Sequence, residues 1–241
     1  MNENILTNKN CLVTGATGGI GSEIAKQLAK KKCNLFLTST NEKKLKKLKT
    51  EINTIENKIE INYQAGNLSD LKDMQKIIKK TRECYNSIDI LINSAGVFEI
   101  KSLKQSKLKD FENSFNVNIR APFLLCGEFS QDMVKKKWGR IVNLGSSSSY
   151  AGFKNGSIYC ASKHAILGLS RSLHAELKEH NVRTFCISPG STKTEMAKKS
   201  INQNFNTFLD PKEVAEFIVF LTSYDKEMMI DEVRLNRMIV E

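Results

Sequence analysis

NCLVTGATGGIG, residues 10–21, is the stretch whose reading decides the fold. Its first five residues, NCLVT, suit a short buried strand. Gly15, Gly19 and Gly21 follow at once, and Ile20, Ile24 and Leu28 then recur at helical spacing. A glycine turn between a strand and a helix lets backbone approach a pyrophosphate closely. The helix N-terminus behind the turn offers that anion unpaired N–H groups. A glycine-rich turn alone is a weak signal, and this flanking context is what strengthens it.

The alternation continues outward. Strands are expected at 34–38, 58–64, 88–93, 139–144 and 182–188, with helices at 41–56, 70–85, 106–136 and 157–180 between them. Asp210-Pro211 opens a further helix with a capping residue and a proline at its first position. The segment MMIDEVRL can add a last short strand. Six strands alternating with helices predict an α/β fold, a Rossmann-like doubly wound parallel sheet with helices on both faces. With no internal repeat and no low-complexity linker, residues 1–241 read as a single domain.

Ligands of such sheets bind outside the carboxyl ends of the strands. TGATGGIG, NSAG at 93–96, Gly145–Ser149 and PGSTKTEM at 189–196 all fall at such ends, which implies one shared cleft. The polar segment 195–209, with Phe205 and Phe208, reads as mobile and lies over that cleft.

Tyr159 and Lys163 stand four apart on the 157–180 helix, hence one above the other on one face. A tyrosine with an ordinary pKa near 10 is a poor proton carrier at neutral pH. A cation about 4 Å away at an effective dielectric of about 20 favours its anion by roughly 4 kcal/mol. Such a phenol would exchange protons near neutrality. Ser146, just after a strand, could bond the same substrate oxygen. Tyr-x-x-x-Lys is common by chance on solvated helices, so the pair gains weight only from its company.

Bulk properties narrow the function further. The 241 residues carry a formal charge of +11. The lysines between 43 and 49 alternate with Leu45, Leu48, Ile52 and Ile55 and so form a solvated helix face. Lys30–Lys32 and Lys135–Lys137 read as helix C-termini, where cations are favoured. No nucleic-acid-binding motif appears, and the charge can still steer an acidic partner. No apolar run reaches the length of a membrane span, and MNENILTNKN is not a signal peptide, so a cytoplasmic protein is expected. The six cysteines are scattered with no C-x-x-C pair, which suggests neither metal nor disulfides. Cys160, beside Tyr159, is the one thiol placed to react.

These motifs together resemble the short-chain dehydrogenase/reductase family, and the likeness covers nearly the whole chain. TGATGGIG resembles the family's dinucleotide loop, with Gly15, Thr17, Gly19, Ile20 and Gly21 as its cofactor-binding positions. Asn67 and Leu68 match the adenine-side turn, and Asn93, Ala95 and Gly96 the motif after the fourth strand. Pro189, Gly190, Thr192 and Thr194 match the segment that holds the nicotinamide. Asn118, Ser146, Tyr159 and Lys163 resemble the catalytic set, with Ser147 and Ser148 as rivals to Ser146.

The resemblance implies that Tyr159 exchanges a proton with a carbonyl or hydroxyl oxygen that Ser146 holds. Lys163 would lower the tyrosine pKa and bind the nicotinamide ribose, and Asn118 would bind a water linking Lys163 to solvent. Leu37-Thr38-Ser39-Thr40-Asn41 lacks the acid typical of NAD-dependent members. Ser39, Thr40 and Asn41 could bond a 2′-phosphate, and Lys43 or Lys44 could add charge, so NADP(H) is favoured over NAD(H).

The chain looks most like 3-oxoacyl-acyl-carrier-protein reductases and their paralogues. That implies a small-molecule carbonyl or alcohol substrate, possible delivery on an acyl-carrier protein, and a homodimer or homotetramer. The end, MMIDEVRLNRMIVE, departs from the Gly-rich strand that closes those reductases and favours a paralogue acting on a different alcohol or ketone. Two rival readings are a non-catalytic dinucleotide-binding sensor or scaffold and a nucleotide-sugar-modifying enzyme of the same fold. Sensors tend to lose the tyrosine or lysine, and sugar enzymes need a larger C-terminal region.

Overall fold

A computed structural model describes residues 5–199 and 203–238. Seven strands form one sheet: β1 (Asn10–Thr14), β2 (Asn34–Ser39), β3 (Ile61–Ala65), β4 (Ile90–Asn93), β5 (Gly139–Leu144), β6 (Val182–Pro189) and β7 (Glu232–Leu235). Their spatial order is β3-β2-β1-β4-β5-β6-β7, and every pairing is parallel. The winding reverses at β1, which pairs with β2 on one side and β4 on the other. A crevice opens at such a reversal, beyond the carboxyl ends of the strands.

Strand residues alternate between two cores, as the period of two requires. Val13, Leu35, Leu37, Ile90, Ile92 and Val142 pack with α1 (Gly19–Lys30), α2 (Glu42–Ile55) and α7 (Pro211–Ser223). Leu12, Phe36, Leu91 and Ile141 point the other way. They meet α3 (Leu71–Cys84), α5 (Ala121–Lys136) and the end of α6 (Ser157–Leu177). Both faces are covered, which is why these strands are apolar nearly throughout.

The helix expected at 106–136 is broken into α4 (Leu108–Phe115), a π-helical turn over Asn116–Arg120, and α5. Pro122 has no N–H to return to the preceding turn, so the ladder slips and Ala121 N donates to Asn116 O. β3 begins at Ile61, later than expected, while Asp210 caps α7 through Lys212 N at 2.8 Å. Within 195–209, short 3-10 turns cover Ala197–Lys199 and Phe205–Thr207, and residues 200–202 lie outside the described residues. None of the helices among the described residues is long and apolar enough to cross a membrane.

The tail forms the strand expected there, four residues long. Glu232 accepts from Tyr150 Oη at 3.2 Å and pairs with Arg171. Leu235 O accepts from Gly190 N at 2.8 Å, and Arg237 donates to Thr207 Oγ1 at 3.0 Å. The C-terminal segment is thereby stitched to both margins of the crevice.

Candidate active site

A cavity of about 940 Å³ occupies the crevice. Of the residues singled out in the sequence, Thr17, Gly19, Ile20, Gly21, Gly96, Ser146, Tyr159, Lys163, Pro189, Gly190, Thr192 and Thr194 line it. Motifs up to 177 residues apart in sequence, from Thr17 to Thr194, thus share one wall system.

The glycine turn is shaped by close approach. Gly15 has φ +61°, and a Cβ there would stand 2.7 Å from backbone atoms of Ala95. Thr14 explains that proximity: its Oγ1 accepts from Ser94 N and Ala95 N, each at 3.1 Å, and donates to Ile92 O at 3.3 Å. Gly15→Ala is expected to lose more than about 2 kcal/mol of stability, since left-handed backbone alone costs a non-glycine residue roughly 1–2 kcal/mol and the methyl would clash as well. Chemical denaturation would measure it. At Gly19 a Cβ would meet Thr194 Cγ2 at 2.6 Å, so the turn touches the segment after β6.

α1 has Gly18 as its N-cap, with no side-chain cap bond and no acid in its first turn, which leaves its N–H groups and positive dipole end for an anion. These features fit a dinucleotide diphosphate. At the far end Lys44 lines the cavity and has no ion-pair partner among the described residues. Ser39, Thr40, Asn67 and Leu68 lie outside the lining. Asn41 caps α2 by accepting from Lys44 N at 2.9 Å, and Ser39 Oγ accepts from Asn41 N at 3.3 Å. Asn67 Oδ1 accepts from the N and Oγ of Ser69, and Leu68 is buried.

Lys163 is 6% exposed on α6, with Nζ 5.8 Å from the Tyr159 ring centroid. Nζ donates to Leu144 O at 2.7 Å. Ser146 is fixed by its own turn: its N donates to Ser149 Oγ and its Oγ accepts from Ser148 N, each at 3.1 Å. Ser147 and Ser148 also line the cavity, and Ser146 is the serine near enough to the phenol to pull its pKa down.

The pKa shifts differ from expectation. Tyr159 keeps some accessible surface, yet the protein around it is close enough that burial pushes the phenol up, with Ser146 pulling the other way. Burial also pushes Lys163 down to about 8. The ammonium is directed at Leu144 O, and both groups are withdrawn from water, so desolvation outweighs their attraction. In this state the phenol is a protonated donor at neutral pH.

Asn118 sits on the π-helical turn, beside the cavity and outside its lining. Its Oδ1 accepts from Val97 N at 2.9 Å, and its Nδ2 donates to Val97 O at 3.1 Å and Ser162 Oγ at 2.9 Å. Both amide hydrogens are thus used to tie the segment after β4 to α6. Asn93 is buried away from the cavity and donates to Asn143 Oδ1 at 2.8 Å, a bridge between β4 and β5. Ala95 contributes its backbone bond to Thr14, while Ser94 and Gly96 beside it face the cavity. Cys160 is buried behind Tyr159. No group of three His, Cys, Asp or Glu among the described residues is placed to hold a metal.

One residue that organises the site, Thr14, escaped the sequence reading. Thr14 ends a strand just before the glycine turn, and that position is a signal for a hydroxyl that organises the next strand's loop. Phe98 lies edge-on to Tyr159, ring centroids 4.7 Å apart, and Phe153 stands 6.5 Å from the same ring. Neither carries a motif.

Comparisons with known proteins identify the family. The chain is 32% identical over 230 residues to the 3-oxoacyl-[acyl-carrier-protein] reductase FabG of Rickettsia prowazekii, covering 90% of each chain. It is 33% identical over 230 residues to the FabG of Aquifex aeolicus, covering 90% of this chain and 91% of that protein. Among solved structures, a metagenomic short-chain oxidoreductase in complex with NADP matches with a TM-score of 0.84 at 28% identity, over 97% of this chain and 99% of that one. An alcohol dehydrogenase from Thermococcus sibiricus complexed with 5-hydroxy-NADP matches with a TM-score of 0.85 at 25% identity, over 94% and 95%. A family model described as short chain dehydrogenase matches residues 9–204, and with the glycine turn, the parallel sheet and the shared cavity this places the chain in the short-chain dehydrogenase family, as an oxidoreductase acting on CH–OH groups.

Proposed function

We propose that this enzyme reduces a ketone to a secondary alcohol with NADPH, and that a 3-oxoacyl thioester is its substrate. The observation that carries the reading is the convergence of Ser146, Tyr159 and Lys163 on one wall of a cavity whose other wall is the glycine turn. A reduced dinucleotide, when bound, would supply the hydride that the carbonyl carbon takes up. Ser146 Oγ donates to the substrate oxygen and holds it where negative charge develops. Tyr159 then gives that oxygen its proton, since burial keeps the phenol protonated at neutral pH. Lys163 lies behind the phenol as a cation that favours the tyrosinate left by this step.

Thr17, Gly19, Ile20 and Gly21 would hold the diphosphate, and Thr192 and Thr194 the nicotinamide end. Lys44, which lines the cavity, would face a 2′-phosphate, with Ser39 and Thr40 at the end of β2 near it in sequence. With no acid between Leu37 and Asn41, this supports NADP(H) over NAD(H). The two reductases named above support the 3-oxoacyl class, and the charge of +11 suits an acidic carrier protein in the cytoplasm. Leu108, Phe111 and Phe123, at 71%, 43% and 58% exposed on α4 and α5, support association with a second copy.

The test is NADPH oxidation, followed by absorbance, with an acetoacetyl thioester. Turnover is expected, and tight NADPH binding without turnover would overturn the acyl assignment. Lys44→Ala is expected to raise KM for NADPH about tenfold, equivalent to about 1.4 kcal/mol, with little change for NADH. An equal effect on both would remove Lys44 from the 2′-phosphate.

A further inference from the structure

Beside Tyr159 the cavity becomes apolar and aromatic. Phe98 meets Tyr159 at an interplanar angle of 73°, and Phe153 lies 6.2 Å from Phe98. All three rings line the cavity, as do Ile100 and, next to Phe153 in the chain, Lys154 and Asn155. Rings at these separations attract each other in edge or offset geometry, and they leave no room for another ring between them. They form a wall.

Phe153 is held in that wall by its own loop. Gly156 N donates to Phe153 O at 3.1 Å, and Asn155 adopts left-handed backbone with φ 63°. Lys101 N donates to Asn155 O at 2.8 Å, which ties the Phe98 segment to the Phe153 segment. A Cβ on Gly156 would stand 2.3 Å from a carbon of the Phe153 ring, so the ring rests on a bare α-carbon. Gly156 is also the N-cap of α6 and makes no side-chain cap bond. A serine, aspartate or asparagine would cap the helix but would displace the ring.

We propose that Phe98 and Phe153, seated by Gly156, are a fixed stop that limits the group on one side of the reacting carbonyl to a short, uncharged, apolar one. The proposal rests on the reading that Tyr159 protonates a ketone in this cavity. For a 3-oxoacyl thioester the alkyl end faces the stop while the thioester leaves through the open side. The four-carbon acyl group fits, and longer ones strike the rings.

The experiment compares kcat/KM for 3-oxobutanoyl and 3-oxooctanoyl N-acetylcysteamine thioesters in wild type, Phe153→Ala and Gly156→Ala. Wild type is expected to favour the four-carbon substrate at least tenfold, and Phe153→Ala to reduce that ratio at least tenfold. Gly156→Ala keeps the ring but unseats it, and should move the ratio in the same direction. A ratio that Phe153→Ala leaves unchanged, or a wild type indifferent to length, would overturn the stop. Binding of the matching 3-hydroxyacyl thioesters in the presence of NADPH, by calorimetry, reads the stop without turnover. A four-carbon preference erased by Phe153→Ala supports it even if no ketone is reduced, and equal affinities overturn it. Loss of turnover with that preference intact counts against the reaction alone.

Discussion

Tyr159→Phe should lower ketone reduction by about 10³-fold, within the range a positioned general acid contributes. The substitution removes one oxygen and leaves the ring against Phe98 and Phe153, so the wall keeps its shape. Ser146 is held by bonds within its own turn and remains in place as a donor. Dinucleotide affinity should therefore change by less than about threefold, because the phenol acts on the substrate. Steady-state rates beside a fluorescence titration with NADPH separate the two effects. A variant that retains more than a tenth of wild-type turnover would show that the proton comes from elsewhere.

Lys163→Met should abolish turnover and make the protein more stable at pH 7. Burial holds the Lys163 pKa at about 8, below its ordinary value of 10.5. Below pH 8 the lysine is charged in both folded and unfolded chains, and the folded state carries the full desolvation cost, about 3 kcal/mol. Between pH 8 and 10.5 the unfolded chain binds more protons than the folded one, so wild-type stability rises across that window. Methionine removes this dependence and also the bond to Leu144 O, a loss of about 1 kcal/mol. The variant should be more stable by about 2 kcal/mol below pH 8 and lose that advantage as pH approaches 10.5. Chemical melts at pH 7 and pH 10 measure the crossing. A variant destabilised at both pH values would mean that the ammonium is compensated in the folded state.

Much of this was legible because it is carried by local pattern. The alternation of Leu12 with Val13, and of Phe36 with Leu35 and Leu37, fixes strands with two covered faces and hence helices on both sides. Gly15, Tyr159 and Lys163 announce themselves by spacing. What escaped depends on contacts between distant segments. The slip of the helix ladder at Pro122 depends on whether the chain tolerates a bulge there, which packing decides. Asn41 reads as a phosphate ligand by position, and its second role, capping α2 through Oδ1, shows only in the folded chain. The direction of the Tyr159 shift depends on burial and on Leu144 O drawing the ammonium aside, neither of which a four-residue spacing reveals. Phe98 and Phe153 stand 55 positions apart in sequence, and only the folded loops bring their rings together.

Gly19 and Thr194 both line the cavity, and a methyl on Gly19 would stand 2.6 Å from Thr194 Cγ2. Any side chain at position 19 would therefore fill space between the glycine turn and the segment after β6. Gly19→Ala should weaken dinucleotide binding while leaving the sheet intact, read as a raised KM for NADPH in a protein of unchanged melting temperature.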